Sequence, residues 1–219
     1  MRNTKAPLLV QFAIMHHPHS DVDPRVGFFD RLAATWDSEE QNPAETIQQL
    51  EKRRDLLNFR PGEDLLEVGC GTGQLTGWLA GCVRPGRVVA IDFSSAMIER
   101  ATAKGGGEFR VADVCTDDLG RDQFDVALCF NSFPHFRDQA ASLRHLACAL
   151  KPGGRLMVLH LCGRTEMNEF HHRIGGEVGH DFLPDNEHLD RWLVEAGLQK
   201  TKLVDSPDLF FLRADKAAD

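Results

Sequence analysis

The sequence lacks any apolar run that approaches the roughly 20 residues of a membrane-spanning helix, and it lacks a dense run of Lys and Arg. Its 33 acidic residues outnumber its 25 basic ones, and the formal net charge is −8. An acidic chain without a basic cluster argues against a large nucleic-acid-binding surface. We therefore expect a cytoplasmic protein with no membrane span and no nucleic-acid partner.

Paired cysteine motifs are also missing. The six cysteines are scattered along the chain, and none forms C-x-x-C. The expected state is a set of reduced thiols that pack as small apolar side chains. No internal repeat, low-complexity linker or second domain is evident in the 219 residues, a length that suits one domain with a sizeable core. We expect a monomer or a homodimer.

A glycine-rich turn between two apolar segments is the most informative feature of the sequence. Residues 65–68 predict a short buried strand, which Gly69-x-Gly71-x-Gly73 follows. A second predicted strand, residues 88–91, ends at Asp92. Glycines let the chain turn tightly against a ligand, and a carboxylate at a strand end accepts hydrogen bonds from ribose hydroxyls. The pattern predicts a nucleoside-binding site in an α/β sheet.

The spacing of the glycines separates two kinds of cofactor. A dinucleotide-binding turn carries G-x-G-x-x-G, whereas here Thr76 stands where the third glycine would fall. The run Glu67-x-Gly-x-Gly-x-Gly73 instead resembles motif I of class I S-adenosylmethionine-dependent methyltransferases. This resemblance implies S-adenosylmethionine as the cofactor, with the glycine turn around its methionine part and Asp92 on its ribose. An NAD-dependent oxidoreductase is disfavoured.

Downstream motifs extend the resemblance over about residues 25–214. Ala112-Asp113-Val114 is similar to the family motif whose acid accepts the adenine amino group, and turn capping is the alternative for Asp113. Met97 matches a position that packs on adenine, and core packing is its alternative. The residues that the resemblance assigns to the cofactor are Glu67, Gly69, Cys70, Gly71, Gly73, Asp92, Phe93, Met97, Ala112, Asp113, Val114 and Asn131.

The segment before the glycine turn resembles that of methyltransferases of ubiquinone and menaquinone biosynthesis. It reads Phe29-Asp-x-x-Ala-x-x-Trp-Asp37 and predicts a short helix with an apolar face. In that family the segment folds over the cofactor as part of a lid, and a helix that only packs on the domain is the alternative. We expect an N-terminal arm and lid segment at 1–45, a methyltransferase domain at 46–219, and a substrate-side insertion at 159–185.

The order of the predicted elements favours an α/β fold. Alternating strands and helices give parallel strands with right-handed crossovers. A charged amphipathic helix is predicted from Thr46 to Asn58, and residues 201–205 and 209–214 predict an antiparallel hairpin. The expected architecture is a Rossmann-like, seven-stranded, mostly parallel sheet with helices on both faces and this hairpin at its end.

Catalytic residues are harder to identify, because methyl transfer from a sulfonium mainly requires positioning and needs a base only for a protonated acceptor. His135 lies just after the fourth predicted strand, where ligands bind in such sheets, and it is a candidate base. Packing or a hydrogen bond behind the cofactor is the alternative role for this side chain. The N-P-P-F/Y motif of many adenine- and amide-methylating relatives is missing after this strand. DNA adenine methylation is therefore discounted.

The insertion supplies further histidines. Helical spacing over residues 167–174 places His171 on the apolar face and leaves His172 outside it. His171 and His180 are expected to converge above the transferred methyl group. A general base, a metal site and a solvated lid are the alternatives for these side chains. No metal is assigned, and the weak candidates are His160, His171 and His180, whose spacing matches no known metal motif.

The sequence therefore predicts an S-adenosylmethionine-dependent methyltransferase that acts on a small molecule or metabolite. The acceptor is expected to enter between the N-terminal segment and the insertion. A cofactor-binding protein without transferase activity is one alternative, and a metal- or metalloid-directed methyltransferase is another.

Overall fold

The computed structural model describes residues 23–40 and 42–218, so most of the expected N-terminal arm lies outside the described residues. Seven strands form one sheet: β1 (Leu65–Val68), β2 (Val88–Asp92), β3 (Glu108–Val111), β4 (Phe124–Phe130), β5 (Leu150–His160), β6 (Leu198–Ser206) and β7 (Leu209–Lys216). Their order in the sheet is β3–β2–β1–β4–β5–β7–β6. Strands β1 to β5 are parallel, and β7 runs antiparallel between β5 and β6. The expected Rossmann-like fold with a final antiparallel hairpin is confirmed.

Helices cover both faces of this sheet. They are α1 (Pro24–Leu32), α2 (Pro43–Glu51), α3 (Arg54–Leu57), α4 (Thr76–Val83), α5 (Ser95–Lys104), α6 (Gln139–Ala149), α7 (Arg164–Ile174) and α8 (Asn186–Glu195). Because both sheet faces are buried, β1, β2 and β4 are almost continuously apolar. Alternate residues of β1 serve opposite faces: Leu66 packs in the cluster that contains α6 and α8, and Leu65 packs in the cluster that contains α2, α3 and α4. Within residues 23–40 and 42–218, no helix combines the length and apolarity needed to cross a membrane.

The helix predicted from Thr46 to Asn58 is wrong in its bounds. The structure has two helices, α2 and α3, separated by a tight turn at residues 52–53. The Arg53 amide bonds the carbonyl of Leu50, and the Arg53 guanidinium takes the Gln49 carbonyl that a continuous helix would have used. The side chain thus replaces a backbone hydrogen bond, and the helix ends there.

The predicted helix of the Phe29–Asp37 segment is also wrong in its bounds, because α1 begins earlier, at Pro24. Helix α1 ends at Leu32, and a π-helical turn spans Trp36–Glu40. Trp36 therefore lies outside α1, although it still packs in one aromatic cluster with Phe28 and Phe29. Residues 23–40, the described part of the N-terminal segment that is expected to act as a lid, are called the lid segment below.

One buried ion pair ties the amino ends of the central strands together. The Arg155 guanidinium on β5 donates to both carboxylate oxygens of Glu63, at 2.7 and 2.9 Å, and to the carbonyl of Asn58. Both side chains of the pair are almost fully buried. A buried charge needs such a partner, so neither residue is replaceable alone without a large loss of stability.

Candidate functional site

A cavity lies at the carboxyl ends of β1, β2 and β4. The strand order reverses between β1 and β4, which is where ligands bind in open parallel sheets. The cavity is lined by Asp23, Phe29, Trp36, Val68, Gly69, Gly71, Ile91, Asp92, Phe93, Met97, Ala112, Asp113, Val114, Asn131, Ser132, His135, Phe136 and Arg137. Nine residues of the predicted cofactor site are among them.

Two of the three glycines in the turn after β1 line one wall of the cavity. Gly69 has φ +71°, and a Cβ there would lie 2.4 Å from the Cβ of Ser132. Gly71 has φ +54°, and its Cβ would approach the indole nitrogen of Trp36 at 3.4 Å. A side chain at Gly69 is excluded by both the backbone conformation and the neighbouring side chain.

Asp92 presents a buried carboxylate at the end of β2. One of its oxygens accepts the Gly71 amide and the other accepts the Ser94 amide, each at 2.9 Å. Burial raises the pKa of Asp92 to about 6, although these two hydrogen bonds lower it. Each carboxylate oxygen still has a lone pair for a second donor. The group therefore suits a ligand with two adjacent hydroxyls, as the sequence predicts.

Asn131 supplies an acceptor that has no partner in the described part of the protein. It follows β4 with φ +51°, a conformation that is uncommon for a residue with a side chain. Its Oδ1 is buried and makes no hydrogen bond within the described residues. Because buried polar atoms are normally satisfied, this oxygen fits a donor group of a molecule bound in the cavity.

Three residues of the predicted cofactor site are not on the cavity wall. Glu67 points to the face of the sheet that α4 covers, where it accepts the Thr76 hydroxyl at 2.6 Å, and burial raises its pKa to about 7. A Cβ at Gly73 would lie 3.0 Å from the Cβ of Ala101, so this glycine permits close packing of α5. The Cys70 side chain is buried in a small apolar cluster with Ala90 and Ile98.

Asp113 and Met97 have the capping and core-packing roles that the sequence offers as alternatives, and both also line the cavity. Asp113 accepts the Cys115 amide at 2.8 Å, as a turn cap does, and its other oxygen lies 3.3 Å from the Arg137 guanidinium. It also lines the cavity. Met97 is buried in the aromatic cluster of the lid segment and lines the cavity as well.

The lid segment docks on the cavity through two aspartates and an aromatic cluster. Asp30 accepts the Ser94 hydroxyl at the start of α5, and Asp37 accepts the Thr72 hydroxyl in the glycine turn, both at 2.5 Å. The Phe29 ring lies 5.9 Å from Trp36 and 5.7 Å from Phe93. The lid segment therefore covers the cavity on the side next to the glycine turn.

His135 is the predicted base candidate that reaches the cavity. Its Nδ1 lies 2.8 Å from Oδ2 of Asp181, and its ring lies 5.0 Å from the ring of Phe29. Asp181 also accepts the Arg25 guanidinium of α1 at 2.7 and 2.8 Å. Burial alone would raise the pKa of Asp181, but the hydrogen bonds from His135 and Arg25 hold it below its ordinary value.

The sequence does not predict the contact between Asp181 and Arg25. The two side chains are 156 positions apart, and no local pattern connects them. Asp181 was visible only as one more polar residue of the histidine-rich insertion. A carboxylate beside a histidine was the available signal, but the histidine that it contacts lies 46 positions away.

The insertion histidines are arranged differently from the prediction. His171 is buried and His172 is exposed, as the helical spacing predicts, but Phe170 and Ile174 of the same predicted face are exposed. His171 Nδ1 bonds the backbone carbonyl of Asp181 at 2.5 Å, and its ring lies 4.8 Å from His135. Burial lowers the pKa of His171, and nearby His135 lowers it further. His180 is exposed against Phe182 and lines a separate surface groove, so the expected convergence of His171 and His180 above the methyl position is wrong.

His160 is buried at the end of β5. Neither ring nitrogen has a hydrogen-bond partner among the described residues. Burial lowers the pKa of His160 to about 3, and His135 and His171 act in the same direction, so the ring is neutral. Across residues 23–40 and 42–218, no three His, Cys, Asp or Glu side chains are grouped to hold a metal ion. The weak metal candidates His160, His171 and His180 are not brought together as ligands.

Comparisons with known proteins agree with this geometry. Residues 65–154 match a family model described as a methyltransferase domain. The chain is 30% identical over 175 residues to an O-methyltransferase of Pyrenophora dematioidea, a match that covers 74% of this chain and 64% of that protein. It is 32% identical over 163 residues to phosphoethanolamine N-methyltransferase 1 of Arabidopsis thaliana, covering 71% of this chain and 33% of that protein. The matched part is therefore less than two thirds of the length of either relative.

A solved structure extends the comparison to the whole sheet. Magnesium protoporphyrin IX methyltransferase (ChlM) from Synechocystis PCC 6803, determined with bound SAH, superimposes with a TM-score of 0.63 and 20% sequence identity. The match covers 87% of this chain and 94% of that structure. At this level of identity the likeness establishes the shared fold.

Proposed function

We propose that this chain, whose residues 65–154 match a methyltransferase domain model, transfers a methyl group from S-adenosylmethionine to a small molecule. The observation that carries the proposal is the cavity between β1 and β4. There the glycine turn, the buried carboxylate of Asp92 and the Asn131 oxygen, which has no partner among the described residues, line one cavity. An apolar cavity with a few converging polar groups is typical of a small-molecule site.

The cavity residues fit the chemical groups of this cofactor. Asp92 suits its ribose hydroxyls, and Asn131 Oδ1 suits a donor such as its amino group. Asp113 and the apolar side chain of Met97 would hold the adenine. When bound, the cofactor supplies an electrophilic methyl group on a sulfonium centre. We propose residues 23–40 as the lid and 159–185 as the substrate side of the site.

The protein's own contribution is to align the acceptor, exclude water and accept a proton where needed. Phe29 and Trp36 of the lid segment shield the cavity from solvent. His135 is the proposed base, because it lines the cavity and its Nδ1 is bonded to a carboxylate. That bond leaves Nε2 as the acceptor in the neutral ring.

Isothermal titration calorimetry with S-adenosylmethionine, S-adenosylhomocysteine and NAD tests the cofactor. We expect both sulfur compounds to bind and NAD to give no heat. The variant Asp92→Asn should lose most of this affinity, whereas Asp64→Asn, at the opposite edge of the sheet, should keep it. Binding of NAD alone, or no heat with either sulfur compound, contradicts the proposal.

Formation of S-adenosylhomocysteine with a panel of hydroxyl, amine and thiol acceptors tests the reaction. For an acceptor that must lose a proton, His135→Asn should lower kcat by about 10²- to 10⁴-fold. Affinity for S-adenosylhomocysteine should change little, since the proposed role of His135 is toward the acceptor. An unchanged kcat would remove His135 as the base.

A further inference from the structure

We infer that Asp181 positions His135 and also holds the lid segment through Arg25, so that lid docking and orientation of the proposed base share one carboxylate. This inference rests on the proposed function for its catalytic meaning. Its structural content, a coupling between Arg25 on α1 and the ring of His135, can be measured without any ligand.

The three side chains, of which Asp181 is fully buried and the other two are half-buried, meet in a network that draws on three separate parts of the chain. Asp181 lies in the insertion, His135 follows β4, and Arg25 lies in the lid segment. Oδ1 of Asp181 accepts the Nε and Nη2 protons of Arg25, and Oδ2 accepts the Nδ1 proton of His135. Nε of Arg25 also lies 3.1 Å from Oδ2, so the two donors share that oxygen.

The carboxylate fixes the form of the histidine ring. A neutral imidazole has one N–H donor and one bare nitrogen, and the partner of one nitrogen decides which is which. An ionised carboxylate can only accept a hydrogen bond, so His135 carries its proton on Nδ1. Without this contact, nothing in the described network selects the tautomer that leaves Nε2 able to accept a proton. Asp181 is therefore a positioning residue for the proposed base.

Burial makes the network cooperative. The Asp181 side chain is 0% exposed, and a buried carboxylate is strongly destabilised when a charged partner is lost. Its backbone is also held, because its carbonyl accepts Nδ1 of His171. The Asp181 carboxylate therefore cannot reach solvent when the Arg25 guanidinium is removed. The carboxylate instead shifts within its buried site, and the contact that keeps the proton on Nδ1 of His135 is weakened.

The lid segment offers a matched control. Arg31, on the same helix as Arg25, also reaches the insertion, where its guanidinium lies 2.7 Å from Glu177. This pair is exposed, with 63% of the Arg31 side chain accessible, and neither residue contacts His135. Exposed pairs contribute little. A change at Arg31 should therefore leave the His135 ring as it is.

The first test is ¹⁵N NMR of histidine-labelled, ligand-free protein near pH 8, with the His135 signals assigned by comparison with His135→Asn. We expect one protonated nitrogen, Nδ1, and one bare nitrogen, Nε2, in the parent protein and in Arg31→Met. The variants Asp181→Asn and Arg25→Met should both lose this pattern, and Arg25→Lys should restore it in part. A parent-like pattern in either Asp181→Asn or Arg25→Met overturns the inference.

The second test is amide hydrogen exchange of α1 in the same proteins. Amide exchange of α1 should become about tenfold faster in Arg25→Met and in Asp181→Asn, which corresponds to a loss of about 1.4 kcal/mol in lid docking. In Arg31→Met the increase should be much smaller. Equal effects at Arg25 and Arg31 would show that the Asp181 network holds the lid segment no better than a surface pair does. That result would overturn the inference that Asp181 holds the lid segment through Arg25. Both tests are independent of ligand binding. A failure of S-adenosylhomocysteine to bind would remove the proposed function and leave these results standing.

Discussion

Glu67 should destabilise the protein at neutral and alkaline pH, and Glu67→Gln should relieve this effect. Burial raises the pKa of this carboxyl from 4.5 to about 7 in the folded protein, and the negative charge of Asp92 acts in the same direction. In the unfolded chain the pKa is near the ordinary value. The folded state therefore holds the proton more tightly, and its stability falls as the pH rises from about 4.5 to about 7.

The size of the effect follows from this difference. A pKa that moves from 4.5 to about 7 corresponds to about 3 kcal/mol between the two protonation states. The glutamine cannot ionise, and its carbonyl can still accept the Thr76 hydroxyl. Glu67→Gln should therefore be more stable than the parent by up to about 3 kcal/mol at pH 8. At pH 5 the two proteins should differ little.

Urea unfolding followed by tryptophan fluorescence at pH 5 and pH 8 measures the difference directly. Glu63→Gln is the matched control, because Glu63 is also buried but is paired with Arg155. Removing that charge leaves a buried guanidinium without its partner and should destabilise the protein by about 3 kcal/mol. If Glu67→Gln is no more stable than the parent at pH 8, or if its advantage is the same at both pH values, the burial argument is refuted.

Three further changes address the cavity and its lid. S-adenosylhomocysteine should bind more weakly by about tenfold per pH unit below 6, because ribose hydroxyls favour the ionised form of Asp92, whose pKa is raised to about 6. In Asp92→Asn, calorimetry should show a flat pH dependence. Gly69→Ala should lower the free energy of unfolding by about 3 kcal/mol through its left-handed backbone and the clash behind it. The control is Gly77→Ala, in open space on α4, which should raise the free energy of unfolding by about 0.5–1 kcal/mol. Equal effects of the two substitutions in urea unfolding would contradict the steric argument for Gly69. Asp30→Ala removes the acceptor of the Ser94 hydroxyl and should speed amide exchange in α1 by about fivefold, and unchanged exchange would show that this contact does not hold the lid.

The sequence predicts best where short-range rules decide the structure. The strands at 65–68, 88–92 and 124–130 are buried on both faces, so each reads as an apolar run with turn residues around it. Glycine spacing and the acid at Asp92 also follow from local requirements of the turn. The carboxyl-edge location of the cavity comes with the topology, because parallel strands all end at one edge of the sheet.

Side-chain direction and distant partners account for the errors. Glu67 and Gly73 lie within motif I, but the pleat of β1 turns Glu67 toward α4, and Gly73 faces α5. His171 was placed correctly by helical spacing, whereas His180 lies in an irregular segment that has no period to read. The pairing of Arg25 with Asp181 depends on how the lid segment and the insertion meet, which no local pattern specifies.

The antiparallel position of β7 has a consequence for synthesis on the ribosome. Among the described strands, β6 pairs only with β7, and β7 pairs with β5. A nascent chain in which β5 and β6 have left the ribosome but β7 has not therefore still presents an unpaired edge at β5. Open strand edges are templates for association with other chains. Translation must therefore reach residues 209–216 before the hairpin can dock, and a pause just upstream would favour aggregation of the incomplete chain.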